Sequence, residues 1–515
     1  MTRDSSPPSA HLSGEQSLVV DTAPPGGVEL DSFFGPIRVE WDHEAAMTPF
    51  GQLPFFIDFL KSSGLFDALV ADCPLRYRSP NAPDKRDVLG TTMLSMLAGH
   101  RRYAHIAALR CDAVLPELLG MKKIVSEDAI RRALKAIDEA EGAVWLRRHL
   151  LYCVEPLLAE PWILDVDTTI KPLYGHQEGA VLGYNPKKPG RPSHCYHTYS
   201  MAATRLVLAV DVSPGDEHSS KHAAPSLWGM LDGWPRDLWP ALLRGDIGFG
   251  NEGIMRGAEA RELPFLFKLR LTAKVKRMIE KLSAREWVDA GQGFEAKEST
   301  VRLTGWSRQR RVIVLRRRVN DAQEPSRRDE DGPLQLSFVE IGEAEEIYEY
   351  SVLVTSLEET TDAFGQLYRD RGDDENIFDE MKNQWGWGGY TTHDLPRCRL
   401  AAGLLALFYN WWNIFVRLAD PSLHREAITS RPLYLTAIAT RTRHARQTTI
   451  RVTSSHAKAK PAAKALAAVA AFLRGLAQNA EQLTRLQKWR AILSRAFQAF
   501  LKGRLLRAPP RLAPS

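Results

Sequence analysis

The sequence predicts a mixed α/β domain that carries a β-rich insertion and is flanked on both sides by helical regions. Three observations point there. A helical pattern gives way at Pro161 to short β-rich runs, strand and helix signals then alternate, and an arginine-rich, strand-like stretch separates that alternation from a late helix. The 515 residues are 44% apolar and 25% charged, an ordinary globular composition with material for three or four domains.

Taken in order, residues 1–44 are rich in Ser, Pro, Gly and acid and read as a poorly ordered arm. Residues 45–157 read as helical, since "LGTTMLSMLAGHRRYAHIAAL" and "SEDAIRRALKAIDEAEGAVWLRRHLLYCVEPLL" space apolar side chains by three and four. Ser126 before Glu127 and Asp128 marks a helix start. Arg131, Arg132 and Lys135 follow, as on a DNA-reading helix or on a plain surface helix. Residues 158–275 open with "WILDVDTTIKPLYG", pass through two strands in "HTYSMAATRLVLAVDVSPG", and reach a strand, helix and strand in "ALLRGDIGFGNEGIMRGAEARELPFLFKLR". Residues 276–344, with "STVRLTGWSRQRRVIVLRRRV", form the insertion. In 345–420, "YEYSVLVTSL" restores a buried strand and a long helix begins near Thr361. After Leu395 the chain reads as helical nearly to its end, with 421–515 as a basic C-terminal region.

The charge is uneven. From Pro421 onward, 18 Lys and Arg stand against Glu426 and Glu481, a balance of +16, so the first 420 residues carry −10 within the overall +6. Such a basic end suits a polyanion. Arg441, Arg443, Arg446 and Arg451 sit among Thr and His without a broad Trp/Phe/Leu face, which favours nucleic acid over a membrane surface. No run approaches 18 uncharged apolar residues, and Met1 to Gly14 is polar, so no membrane partner and no secretory signal are expected. Five scattered cysteines without a C-x-x-C pair argue against a disulfide scaffold or a cysteine zinc site, and the reading is a cytoplasmic protein.

Four acids could carry chemistry. Asp165 and Asp167 alternate in "LDVDTT" and share one face of a strand. Asp246 follows "ALLRG" at a strand end, where chemistry sits in α/β sheets, although an Asp there is often only a turn cap. On the late helix, Tyr368, Arg371, Glu375 and Lys382 fall within an arc of roughly 60°. Asp379 and Glu380 beside them fit a solvated helix face equally well. Together, three carboxylates from two strands and a helix can hold two divalent ions about 3.5–4 Å apart, which activate water and steady the leaving oxygen of a phosphodiester. Hard oxygen donors select Mg2+ or Mn2+ over zinc.

The pattern Y-x2-R-x3-E-x6-K (Tyr368, Arg371, Glu375, Lys382) resembles the signature of a class of bacterial insertion-sequence DDE transposases. "VDTT" at 166–169 and "GDIGFG" at 245–250 are similar to its two aspartate motifs, and "LDVDTTIKPLYGHQEGAVLGYNPKKPGRPSHCYHTY" to the subgroup called DDE-domain group 1. The resemblance implies a ribonuclease H-like catalytic domain with a β insertion before the glutamate helix, and cut-and-paste transposition. It implies Asp167, Asp246 and Glu375 as the catalytic, metal-binding triad with two Mg2+ or Mn2+ ions. Asp165 is a rival for the first position, and its replacement is expected to be milder than that of Asp167. Tyr368, Arg371 and Lys382 would hold DNA phosphates, as would Lys187, Lys188 and Arg191 in "NPKKPGRPSH". The implied partners are double-stranded DNA, as terminal inverted repeats and as target, and further copies of the chain, a homodimer or larger paired-end complex. The implied setting is the nucleoid of a bacterial cytoplasm. In a hairpin route to second-strand cleavage an unstacked base needs an aromatic ring. Trp306, beside Arg308, Arg310 and Arg311, is the candidate, against simple packing inside the insertion. Two other readings stay open: a catalytically inactive or domesticated DNA-binding relative, and a DNA nuclease without strand transfer, because the same metals serve water or a 3′-hydroxyl.

Overall fold

The computed structural model describes residues 27–42, 44–77, 79–183, 185, 188–217, 219–282, 286–319, 347–387, 389–479 and 483–506, with side chains at all of these except 219–221, 319, 347 and 372–375. Residues 1–46 and 47–515 are separate compact units. In the first, Val28–Ser32 and Gly35–Val39 pair antiparallel as a hairpin, inside the stretch whose composition predicts a poorly ordered arm. Val28, Ile37 and Val39 supply β-branched side chains, and Gly35 takes the left-handed φ of +116° after the turn.

In the second unit, helices run from Leu53 to Leu158, interrupted by a 3-10 segment at Tyr103–Cys111. Helix α1 (Glu127–Lys135) starts where the sequence predicts, with the Ser126 side chain accepting from Ala129 N at 3.3 Å. Helix α2 (Glu139–Leu158) leads into a nine-stranded sheet. Its strands are β1 (Ile163–Pro172), β2 (Ser193–Met201), β3 (Leu206–Pro214), β4 (Leu242–Gly245), β5 (Phe265–Leu269), β6 (Val288–Asp289), β7 (Phe294–Val301), β8 (Arg310–Val319) and β9 (Ile347–Thr355). The spatial order is β3-β2-β1-β4-β5-β9-β8-β7-β6. The pairs β1–β4 and β4–β5 are parallel, and all the others are antiparallel. The segment predicted as an insertion therefore extends the same sheet. β9 pairs with β5 (Val352 opposite Leu269), and β8, β7 and β6 add beyond it.

Helix α3 (Glu252–Glu259) connects β4 to β5. The long helix predicted from near Thr361 is two helices, α4 (Ala363–Arg369) and α5 (Gly372–Asn383). At the break Arg371 N bonds back only three residues, to Tyr368 O at 3.1 Å, and Gly372 with its low helix propensity follows.

Helix α6 (Leu395–Ala419) is apolar nearly all round, and most of it is buried against β3, α2 and the helix Arg485–Ala496. Its Asn410 completes the edge of the sheet, accepting from Val207 N at 2.9 Å and donating to Val207 O at 2.7 Å. Beyond α6 the prediction of unbroken helix fails. Strands β10 (Ala439–His444) and β11 (Gln447–Val452) form a hairpin, because "TRTRH" and "QTTIRV" alternate and are rich in β-branched residues. The helices Ala459–Gln478 and Arg485–Ala496 follow. Among the described residues no helix is long and apolar enough to cross a membrane.

Candidate active site

The sheet brings Asp167 and Asp246 to the same end of neighbouring parallel strands. Asp165 lies opposite Arg244 and Val166 opposite Gly245, so one further step sets Asp167 beside Asp246, just past β4. Gly245 is required there. A Cβ would stand 2.9 Å from Val166 Cγ2 and 3.0 Å from Phe249 Cβ. Asp246 Oδ1 accepts from Gly248 N at 2.9 Å, so one oxygen serves as the turn cap. Asp167 Oδ1 accepts from Thr168 N at 2.6 Å, and Oδ2 accepts from Arg371 Nη2 at 2.8 Å.

Asp165 has a different occupation. It and Arg244 are both fully buried and form a two-pronged ion pair, Nε to Oδ1 and Nη2 to Oδ2, each at 2.5 Å. Arg244 Nη1 also donates to Leu367 O, which ties α4 to the sheet. Both oxygens of Asp165 are thus engaged inside the protein. Its replacement would strand a buried guanidinium and so act on stability. Arg244 was legible as the one charge in an otherwise apolar run, which demands an acid nearby.

The break between α4 and α5 puts Arg371, 5% exposed, against Asp167. In the last turn of α5, burial pushes the Lys382 ammonium down, while the charges of Asp167 and Asp379 act to raise it. Glu375 lies on α5, which packs against β1, but its side chain is outside the described residues. Tyr368 is the last but one residue of α4. It is half-buried against an apolar cluster that includes Leu266 of β5 and Leu353 of β9. Glu380, read from sequence alongside Asp379 as a solvated acid, is buried instead and accepts from Ala427 N and His424 Nε2, both at 2.8 Å.

Lys187 lies outside the described residues. Lys188 donates to the Tyr174 hydroxyl, and Arg191 stacks on the Tyr174 ring at 4.8 Å. Tyr174, 66% exposed and two residues past β1, was missed by sequence reasoning. Lys171 was missed too. Four residues from Asp167 on the same strand face, its ammonium is pushed down to about 8 by burial, and it reaches Tyr196 OH at 3.3 Å. Trp306 is not an open ring for a base. It is 7% exposed and packs in the core, with the Arg310 guanidinium 5.2 Å from its ring centre, because Glu252 and Glu259 of α3 hold Arg310 over it.

The donor chemistry fits a hard divalent cation: carboxylates from two parallel strands, with a third carboxylate residue on the adjacent helix. The nearest imidazole on β2, that of His197, is engaged with Thr168 Oγ1 at 2.9 Å and Ser213 Oγ at 3.1 Å. Among the described residues no three His, Cys, Asp or Glu are grouped to hold a metal; Glu375 has no described side chain to count.

The family model described as transposase DDE domain group 1 matches residues 59–474. No curated protein matches the chain. Among solved structures, the piggyBac transposase synaptic complex with hairpin DNA, determined by cryo-electron microscopy, is 11% identical, with a TM-score of 0.38 over 91% of this chain and 87% of that chain.

Proposed function

The chain belongs to the transposases with a DDE domain of group 1, and from that premise we propose that it cuts and rejoins DNA at the inverted-repeat ends of an insertion sequence, with Asp167, Asp246 and Glu375 as its catalytic carboxylates. The observation that carries this reading is the register of β1 and β4, which sets Asp167 beside Asp246 at the end of two parallel strands. The strand order β3-β2-β1-β4-β5 supports a ribonuclease H-like core, with β6 to β8 as its insertion. Two Mg2+ or Mn2+ ions, when bound by the three carboxylates, supply Lewis-acid activation of the attacking and leaving oxygens.

The chain's own residues do the rest. Arg371 holds Asp167 in place and, once it releases Oδ2, stands ready to take a phosphate oxygen. Lys382 adds a second cation beside the same carboxylate. Lys187, Lys188 and Arg191 are assigned to the DNA backbone beyond the end of β1, and Tyr368, with Arg371 and Lys382, to phosphates beside the cut. Second copies of the chain complete a paired-end complex.

Incubating the full-length protein with Mg2+ and DNA carrying its flanking repeats, then sequencing the junctions, tests this reading. Breaks at the repeat ends and joined products are expected. Asp167→Ala, Asp246→Ala and Glu375→Ala should each abolish cleavage while end binding persists, and Ca2+ should support binding without cutting. Normal cutting by Asp246→Ala would sink the assignment, and breaks without joined products would make the protein a nuclease.

A further inference from the structure

The β10–β11 hairpin is a two-stranded ribbon whose two faces differ. On one face Arg441 and Arg443 both pair with Glu117, which fastens that face to the short helix Leu115–Leu118. The register puts Thr440 opposite Arg451, Thr442 opposite Thr449, and His444 opposite Gln447 on the other face. All six of these side chains are exposed, all can donate a hydrogen bond, and none is a carboxylate. Among the described residues none of the six side chains has a hydrogen bond or ion pair to the rest of the protein.

An isolated hairpin without an apolar face is marginal in water. This one is held at its base, where Ala439 and Thr440 pair with Thr48 and Met47 and Gly51 N donates to Ala437 O at 2.7 Å. Gly51 allows that approach, since a Cβ would lie 2.6 Å from Ala439 Cβ. At the tip, Ala445 and Arg446 take φ of +46° and +67°, a conformation for which Asn-Gly is the low-cost pair. The chain accepts that strain and keeps an arginine at the tip.

We propose that this ribbon enters the major groove of duplex DNA, with Arg446 and Arg451 toward phosphates and Thr442, Thr449 and Gln447 toward base edges. The inference rests on the reading of the chain as a DNA enzyme and deepens it by naming a reading element. The major groove, about 12 Å wide, admits a two-stranded ribbon, and a face of donors without acids matches its acceptor-rich edges and the phosphates around it. A carboxylate-bearing protein partner would satisfy the arginines but would leave the Thr and Gln row without a purpose.

The test uses the full-length protein and two short duplexes of the same mixed sequence, one of them with glucosylated 5-hydroxymethylcytosine filling the major groove. The triple variant Thr442→Ala, Thr449→Ala, Arg451→Ala is exposed at every position and should keep its fold. The unmodified protein should bind the ordinary duplex about tenfold more tightly than the glucosylated one, and the triple variant should bind both equally and weakly. Equal binding of the two duplexes by the unmodified protein, or unaltered discrimination by the variant, overturns the proposal. So does loss of an oligomer, seen by light scattering, in place of DNA affinity. Metal-dependent nicking of a plasmid is scored separately. A protein that discriminates the duplexes but never nicks refutes only the catalytic reading, and one that nicks without discriminating refutes only the ribbon.

Discussion

Two arginine-rich β-structures in this molecule look alike in sequence and are opposite in electrostatics. In β8, Arg310 is gripped by Glu252 and Glu259, Arg311 pairs with Glu298, Arg316 with Glu295, and Arg317 with Glu349. Arg316 also stacks on Trp287 at 4.0 Å and on Tyr348 at 4.4 Å. In β10–β11, among the described residues, the single carboxylate of Glu117 pairs with both Arg441 and Arg443, and Arg446 and Arg451 are exposed. Arginine density therefore says little about a nucleic-acid surface. What decides is whether acids stand across the strands: β7 carries Glu295 directly opposite Arg316, whereas β11 has no acid at all.

The comparison can be broken most severely at its buried extreme. Arg244→Ala leaves Asp165 charged and unpaired inside the sheet and should cost about 3–5 kcal/mol, read as a lowered urea midpoint. A loss under about 1 kcal/mol would show that the pair contributes little. Arg310→Ala removes charge-assisted bonds to two partly buried glutamates and should cost about 2–3 kcal/mol while DNA affinity stays the same. A drop in affinity at full folding would move β8 to the DNA-facing class.

The same cluster predicts an acid sensitivity. Burial pushes Glu252 up, but hydrogen bonds from Arg310 and Ser307 outweigh it and hold the carboxyl down at about 2. Its folded-state value lies below its ordinary one of 4.5, so the stability it contributes is present above pH 4.5 and is lost as pH falls toward 2. Arg310→Ala should flatten that part of the stability profile, and an unchanged slope would assign the acid loss elsewhere.

Lys171 gives a slope of the same sign in the alkaline range. With its ammonium held at about 8 against an ordinary 10.5, the native state binds fewer protons than the unfolded chain in that window, so stability should rise as pH climbs from 8 to 10.5. Lys171→Met should remove the rise, and a rise that survives the substitution would place its origin in another group. The smallest effect on stability belongs to the ribbon tip. Arg446→Ala should change stability by no more than about 0.5 kcal/mol and lower the log–log salt slope of DNA binding by about 0.9. An unaltered slope would leave the tip out of phosphate contact.

Much of the site was legible because its signals are local. "LDVDTT" and "GDIGFG" place acids on and beside strands through a two-residue period, and Ser126 announces α1 through one hydrogen bond. The α4–α5 break was not, since a helix period continues through Asp370 and Arg371, both in the right-handed helical region. Nor was the β10–β11 hairpin, whose turn residues Ala445 and Arg446 give no Asn-Gly signal.

By itself the sequence determined which residue types lie on which strand and helix, and the family motifs they spell, because side-chain alternation and motif spacing are properties of neighbours along the chain. Only the tertiary structure decided that Asp165 belongs to Arg244 and Asp167 to Arg371, that Trp306 lies under Arg310, and that Glu380 is a buried acceptor. Those pairings join residues far apart in sequence. They depend on strand register and on which charges lose their water together, and no local period encodes either.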